Sequence, residues 1–255
     1  MKNILLALTI ISYISVGAQN LKTAIVLPAE IKFDRQVVQQ TNGEDGIATT
    51  TYYFTTDGSY AMMKRQEPGD DDKATILYTK DGKTCIIDEK RKTITIMNMP
   101  RVVGEGAQAS KEVAEKISKK PLPKDNDKYK MTATATGKTK TICGYTSYEY
   151  EVKNEGGKSS WWYAKVDFDP ILVYTMGVGK MGDVSKIKND PAMKTNPAAI
   201  PVINKNYFWA EVELNGKKGM ETKSITKTVT TFSTTGYKIQ NMSKMGLKEV
   251  IKASH

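Results

Sequence analysis

Histidine is almost absent from this 255-residue chain: the single one is the terminal His255. That removes the usual proton shuttle, so a Ser-His-Asp or Cys-His arrangement would have to use the last residue of the chain. There are only two cysteines, Cys85 and Cys143, and no Cys-x-x-Cys, so nothing predicts a zinc site or any other metal. No apolar run is long enough to span a bilayer, and no period of twenty to fifty residues repeats. The net charge of +10 comes without an arginine-rich tract or a helical basic stripe. Its lysines are scattered through Thr/Lys stretches such as Lys138-Thr139-Lys140-Thr141, where they protect strand edges and keep the protein soluble. The sequence therefore predicts no nucleic-acid partner, no integral membrane protein and no cofactor.

The amino end has a basic start at Lys2, an apolar run from Ile4 to Val16 and the small-residue pattern Val16-Gly17-Ala18. This is the build of a secretory signal peptide over residues 1–18. It predicts export to the periplasm or beyond, with the mature chain beginning near Gln19. No cysteine follows the cleavage point, so no lipid anchor is expected. In an oxidising compartment Cys85 and Cys143 either pair or remain buried free thiols, and the sequence leaves both open.

What is abundant is strand patterning. Lys130 to Val166 reads as nearly continuous strand, with Met131, Ala133 and Ala135 alternating with threonines. Thr146, Tyr148, Tyr150 and Val152 alternate with Tyr145, Ser147, Glu149 and Glu151, which places one row on a buried face and the other toward water. Further strands are expected at Phe33–Gln40, Ile47–Thr55, Tyr60–Arg65, Ala74–Thr79, Lys83–Asp88, Lys92–Met99, Ser159–Val166, Ile171–Thr175, Tyr207–Leu214 and Gly219–Phe232. Lys80-Asp81-Gly82-Lys83 and Asn215-Gly216 are hairpin turns. Ala109 to Lys119 reads as a short helix with a narrow apolar stripe through Val113 and Ile117, and Met245 to Ile251 as a weaker one. Residues 176–206 are the least regular part. One mature domain over residues 19–255, mainly β with minor α, is the expectation.

Three local patterns offer chemistry and none develops it. Gly177-Val178-Gly179-Lys180-Met181-Gly182 spells G-x-G-x-x-G, but Pro191 interrupts the helix a dinucleotide site needs and the surroundings read as antiparallel. Pro68-Gly69-Asp70-Asp71-Asp72 lacks the ligand set of a calcium loop and reads as a solvated turn. Carboxylates are plentiful enough for a carboxylate-based hydrolase, though nothing in the sequence singles out two of them. No catalytic residue is predicted.

Three stretches carry a family resemblance. Thr139-Lys140-Thr141-Ile142-Cys143-Gly144-Tyr145, followed by an alternating strand and then Trp161-Trp162-Tyr163-Ala164-Lys165, resembles a T-K-x-I-x-G-Y pattern. Ile86-Ile87-Asp88-Glu89-Lys90-Arg91-Lys92-Thr93 resembles that family's hairpin, and Phe232-Ser233-Thr234-Thr235-Gly236-Tyr237-Lys238 its ending, with threonine in place of proline. The family is one of exported bacterial domains of unknown function similar to the LolA/LppX (lipoprotein-carrier-like) superfamily. The resemblance implies a strongly curved antiparallel sheet, a half-barrel, with short helices as a lid over residues 104–120 and 176–206. It implies lipid or lipoprotein acyl chains as partners and supplies no catalytic residue. No arginine is placed as the carrier's latch. Candidate wall residues are Met97, Met131, Tyr148, Tyr150, Trp162 and Phe208, with Val113, Ile117, Met176 and Met181 on the lid. An envelope protein bound through sheet edges, without a small ligand, is the alternative partner.

Overall fold

The structure, a computed structural model, describes residues 27–70, 73–97, 131–154, 157–174 and 194–242. Fourteen strands are present among them: β1 Glu30–Phe33, β2 Arg35–Gly43, β3 Gly46–Phe54, β4 Tyr60–Gln66, β5 Lys73–Thr79, β6 Thr84–Asp88 and β7 Thr93–Met97, then β8 Thr132–Ile142, β9 Tyr145–Asn154, β10 Gly157–Lys165, β11 Tyr207–Leu214, β12 Lys217–Thr226, β13 Thr230–Ser233 and β14 Lys238–Asn241. Two short helices are described, α1 Ile171–Tyr174 and α2 Ile200–Ile203. The protein is mainly β. None of the described helices is long and apolar enough to cross a membrane.

Twelve strands form one open sheet in the order β14-β7-β6-β5-β4-β3-β2-β12-β11-β10-β9-β8, and β1 pairs with β13 in a separate two-stranded ribbon. Turn chemistry sets the hairpins. At the β11–β12 turn Asn215 and Gly216 both have positive φ, as the Asn-Gly signal predicts. The β8–β9 turn does the same with Cys143 and Gly144, an uncommon position for a cysteine. All the pairings of the large sheet are antiparallel except the last, where β14 runs parallel to β7.

Three expectations need correction. Ile171–Tyr174 is helical, because Pro170 fixes the entry and the Asp169 carboxylate accepts the Ile171 N–H at 3.0 Å, an N-cap that outweighs the strand propensity of Ile, Val and Tyr. The long strand Gly219–Phe232 is broken after Thr226, so that β13 can leave the large sheet and pair with β1. The all-antiparallel reading fails at β14, since the chain crosses over before returning beside β7. The expected helices Ala109–Lys119 and Met245–Ile251, the glycine-rich Gly177–Gly182 and the signal segment lie outside the described residues.

Both faces of the sheet are covered. On one, the β1–β13 ribbon lays Ile31, Phe33 and Phe232 over Met62, Leu77, Cys85, Ile87, Ile94 and Ile96. A second core joins Val37, Phe54, Ala61 and Tyr78 to Trp162, Ala164, Phe168 and Phe208, with α1 inserting Leu172. Its aromatic centre stacks Phe54 on Phe168 at 4.7 Å and sets Phe208 edge-on to Tyr52 at 5.7 Å. A third, smaller core gathers Val152, Trp161, Tyr163 and Ile200.

Asp167, just past β10, ties remote strands together. It receives hydrogen bonds from Arg35 at 3.1 Å and from the Tyr145 hydroxyl at 2.8 Å, and pairs with Lys227 at 3.1 Å. Partial burial alone would raise its carboxyl, but the bonds from Arg35, Tyr145 and Lys227 outweigh it and hold the group well below its ordinary 3.8. A folded-state pKa below the unfolded one means the stabilisation is complete above pH ~4 and is lost as pH falls through the folded value. Asp167→Asn should cost about 1 kcal/mol at pH 7, discounted because the carboxylate is over a third exposed. In urea titrations from pH 7 to pH 2, the stability difference between wild type and variant should shrink steadily below pH ~4.

Candidate functional site

The ladder between β11 and β12 covers only Glu211–Leu214, opposite Lys217–Glu221. Before Glu211 the two strands are no longer paired, and side chains take over. The Gln39 amide donates to the Trp209 carbonyl and, at 3.1 Å, to the Thr222 hydroxyl. Thr222 in turn donates to the Ala210 carbonyl at 2.8 Å. Gln39 and Thr222 are both buried, so these bonds satisfy carbonyls that would otherwise face apolar surroundings.

Where the strands part, a cavity of about 140 Å³ remains. Its floor is the sheet surface of β2, β3 and β4, carrying Gln39, Thr41, Thr50, Tyr52 and Arg65. The opposite wall is Phe208 and Trp209 from β11 with Val173 and Tyr174 from α1, and Met220 of β12 closes one side. Gln39, Thr50 and Arg65 are direct cross-strand partners, which is why they share one face. The Trp209 backbone N–H donates to the Tyr174 hydroxyl at 2.6 Å, and the Trp209 indole N–H is buried without an acceptor among the described residues. A wider, shallower depression of about 520 Å³ lies around Asp34, Thr56, Asp57 and Tyr60, with Ile31 and Tyr60 as its large apolar side chains.

Of the six expected wall residues, Trp162 and Phe208 share the second core, and the six do not form one wall. Tyr148 and Tyr150 pair with Tyr163 and Trp161 across β9–β10, while Trp162 pairs with Glu149 and therefore points to the other face. Tyr148 stacks on Tyr207 at 5.5 Å, and Tyr150 meets Tyr163 edge-on at 5.2 Å, so these rings are spent on the third core. Met97, buried, ends the cross-strand row Phe54, Ala61, Tyr78, Thr84, on the cavity's face of the sheet but out at β7. Met131 precedes β8 and is 39% exposed, because only Ala133 of its alternating row reaches the core. Phe208 alone lines the cavity. Val113, Ile117, Met176 and Met181 lie outside the described residues. Cys85 and Cys143 are free thiols. They sit on β6 and at the β8–β9 turn, with at least seven strands of the sheet between them, so the disulfide alternative is not realised.

Sequence reasoning assigned the Ser147–Glu149 row to solvent if the tyrosine row was buried, and it missed the burial of both. Ser147 is fully buried and Glu149 is 7% exposed. Glu149, Trp162 and Glu211 are consecutive cross-strand partners over β9, β10 and β11. Glu149 accepts from Thr136 and Ser160, each at 2.7 Å, and pairs with Lys138 at 3.3 Å. Glu211 pairs with Lys140 and, at 3.0 Å, with Lys218. The Lys140 ammonium also lies 4.1 Å above the Trp162 ring, a cation–π contact. Burial would raise the Glu149 carboxyl, yet Ser160, Thr136 and Lys138 hold it below its usual value. Glycoside hydrolysis needs one carboxyl raised so that it can donate a proton. Every described carboxylate with a displaced pKa is displaced downward. This pair is a charge-satisfied row of the sheet. Glu149 takes its partners from the neighbouring strands β8 and β10, and only Lys140 reaches across to Glu211 from far away in sequence, so alternation within one strand does not reveal the row.

No protein-family model and no curated protein matches the sequence. Among solved structures, the chain is similar to PNGF-II in two crystal forms, C2 and P21, at 11% and 12% identity with TM-scores of 0.42 and 0.41. Those alignments cover 87% of this chain but 33% and 34% of PNGF-II, so the chain spans about a third of that protein's length. It is also similar to an uncharacterized conserved protein from Thermus thermophilus, at 8% identity and a TM-score of 0.33, over 92% of this chain and 98% of the other. Likenesses this distant transfer neither a family nor an activity.

The Gln39 clasp is testable by itself. Gln39→Ala leaves the Trp209 carbonyl without its buried donor and should cost about 2 kcal/mol in urea unfolding. Thr222→Val should cost a similar amount, about 1–3 kcal/mol, and the double variant less than the sum, by a coupling of about 1 kcal/mol. Strict additivity would mean that the two side chains act separately.

Proposed function

We propose that the protein is an exported, non-catalytic binding or carrier protein for a lipid-like or other apolar ligand, as its resemblance to the LolA/LppX superfamily implies. The observation that supports this reading is the cavity between β11 and the β2–β4 surface, walled by Tyr52, Tyr174, Phe208, Trp209 and Met220. Aromatic and methionine walls with a few convergent polar groups are the usual make-up of a small-molecule site. At about 140 Å³ the cavity is smaller than the about 300–1,000 Å³ of a site for a whole drug-sized ligand, so it takes one end of a guest. Each buried methylene would contribute about 0.8 kcal/mol. A curved half-barrel with residues 104–120 and 176–206 as its lid belongs to the same proposal, as does cleavage of residues 1–18.

A second reading, an interaction module of the envelope, has one observation in its favour. β8 is an edge strand of eleven residues, most of them exposed. Its Lys138 and Lys140, and the register break between Ala135 and Thr139, are edge-protecting features, so the cavity is the better supported site.

Native mass spectrometry of the protein purified from its own host separates the two. The expected spectrum shows a mature mass beginning near Gln19 and a co-purified acyl species that is lost on activation. A folded charge-state distribution with reproducibly no bound species contradicts carriage.

A further inference from the structure

The polar groups of the cavity point to the chemistry of the guest's inserted end. Arg65 is the only charged residue in the lining described, and no Asp or Glu shares the lining with it. Its Nη1 donates to the Thr50 hydroxyl at 3.3 Å, on the cavity floor. Its Nε and Nη2 form an ion pair with Glu67, Nε at 2.6 Å, outside the lining, which leaves Nη1 beside Thr50 as the nitrogen on the cavity side. Tyr52 stands beside it: burial pushes the phenol up to about 12 against the opposing pull of Arg65, so its hydroxyl is a neutral donor. Tyr174 accepts the Trp209 N–H at 2.6 Å, which leaves its own proton to donate, and burial keeps that phenol neutral too. Around these donors Val173, Phe208 and Met220 offer apolar surface.

We propose that this cavity holds the carboxylate end of an amphiphile, a fatty-acid-type anion, with Arg65, Tyr52 and Tyr174 as its donors. The assignment rests on the binding reading above. An ionised carboxylate accepts several hydrogen bonds at once and matches a donor-rich, acid-free lining with one cation. A primary alcohol has one oxygen with two acceptor lone pairs and no charge to set against Arg65, so it meets the donors less completely than a carboxylate. An alkylammonium meets Arg65 as a like charge and finds no carboxylate in the lining, since Glu67 lies outside it and is paired with Arg65. The methylenes next to the head group lie against Phe208, Val173 and Met220.

Three probes of equal chain length decide the matter: octanoate, octan-1-ol and octylammonium, titrated calorimetrically into the mature chain at pH 7.5. Octanoate should bind about tenfold or more tighter than octan-1-ol, and octylammonium weakest, as expected when a site's buried polar groups are left unmet. Tyr52→Phe and Arg65→Gln should each weaken octanoate about five- to tenfold and leave octan-1-ol unchanged. Tyr52→Phe keeps the ring that packs against Phe208, so the fold is retained, and circular dichroism confirms it for both variants. Equal affinity for all three probes, lost together in Met220→Trp, would leave the cavity an apolar site and overturn the carboxylate assignment. No binding of any probe to the wild-type chain overturns the cavity reading and this assignment with it.

Discussion

Two buried side chains, Gln39 and Thr222, hold the place where the large sheet stops being a simple ladder. β11 must give up its hydrogen bonds to β12 before Glu211, and the Trp209 and Ala210 carbonyls would then be buried and unpaired. A buried carbonyl without a donor costs about 1–3 kcal/mol, a large share of the net stability of a domain. The Gln39 amide and the Thr222 hydroxyl supply the missing donors from the face of the neighbouring strands. Because they do, Phe208 can leave the plane of the β12 ladder and pack edge-on to Tyr52 and Phe54. The main core and the cavity thus have one origin.

The consequence is a sheet with two working faces and little spare surface. Under the β1–β13 ribbon the packing is aliphatic, built on Leu77, Ile87, Ile94 and Ile96. Around β9 and β10 it is aromatic on one side and ionic on the other. Trp161 stacks on Trp209 at 4.5 Å, while the adjacent Trp162 carries Lys140 and lies between Glu149 and Glu211. Adjacent residues on a strand point to opposite faces, so Trp161-Trp162 necessarily serves two different environments.

Much of the fold was legible in the sequence, and the failures have physical causes. Tyr207–Leu214 and Tyr60–Arg65 were read within a residue because alternation and turn residues agree there. Ile171–Tyr174 was misread because its composition favours a strand, and an Asp-Pro entry of two residues decided otherwise. β14 escaped because a parallel partner far away in sequence, such as Thr93 for Lys238, leaves no local signature. The candidate site was legible only at Phe208. Period-two patterning names the residues of a row but not which row is covered. Gln39, Thr222 and Arg65 are also ordinary strand polars until the strands that cover them are known.

Carriage requires that the parting of β11 from β12 make room for a guest and not be merely a packing irregularity. A crystal structure of the protein isolated from its own host, at a resolution that shows ordered small molecules, tests that claim most directly. Carriage predicts elongated non-protein density in the cavity bounded by Thr50, Tyr174 and Met220, with its polar end toward Arg65. A gap closed by the side chains of Met220 and Trp209, with β11 and β12 otherwise as described, would contradict it.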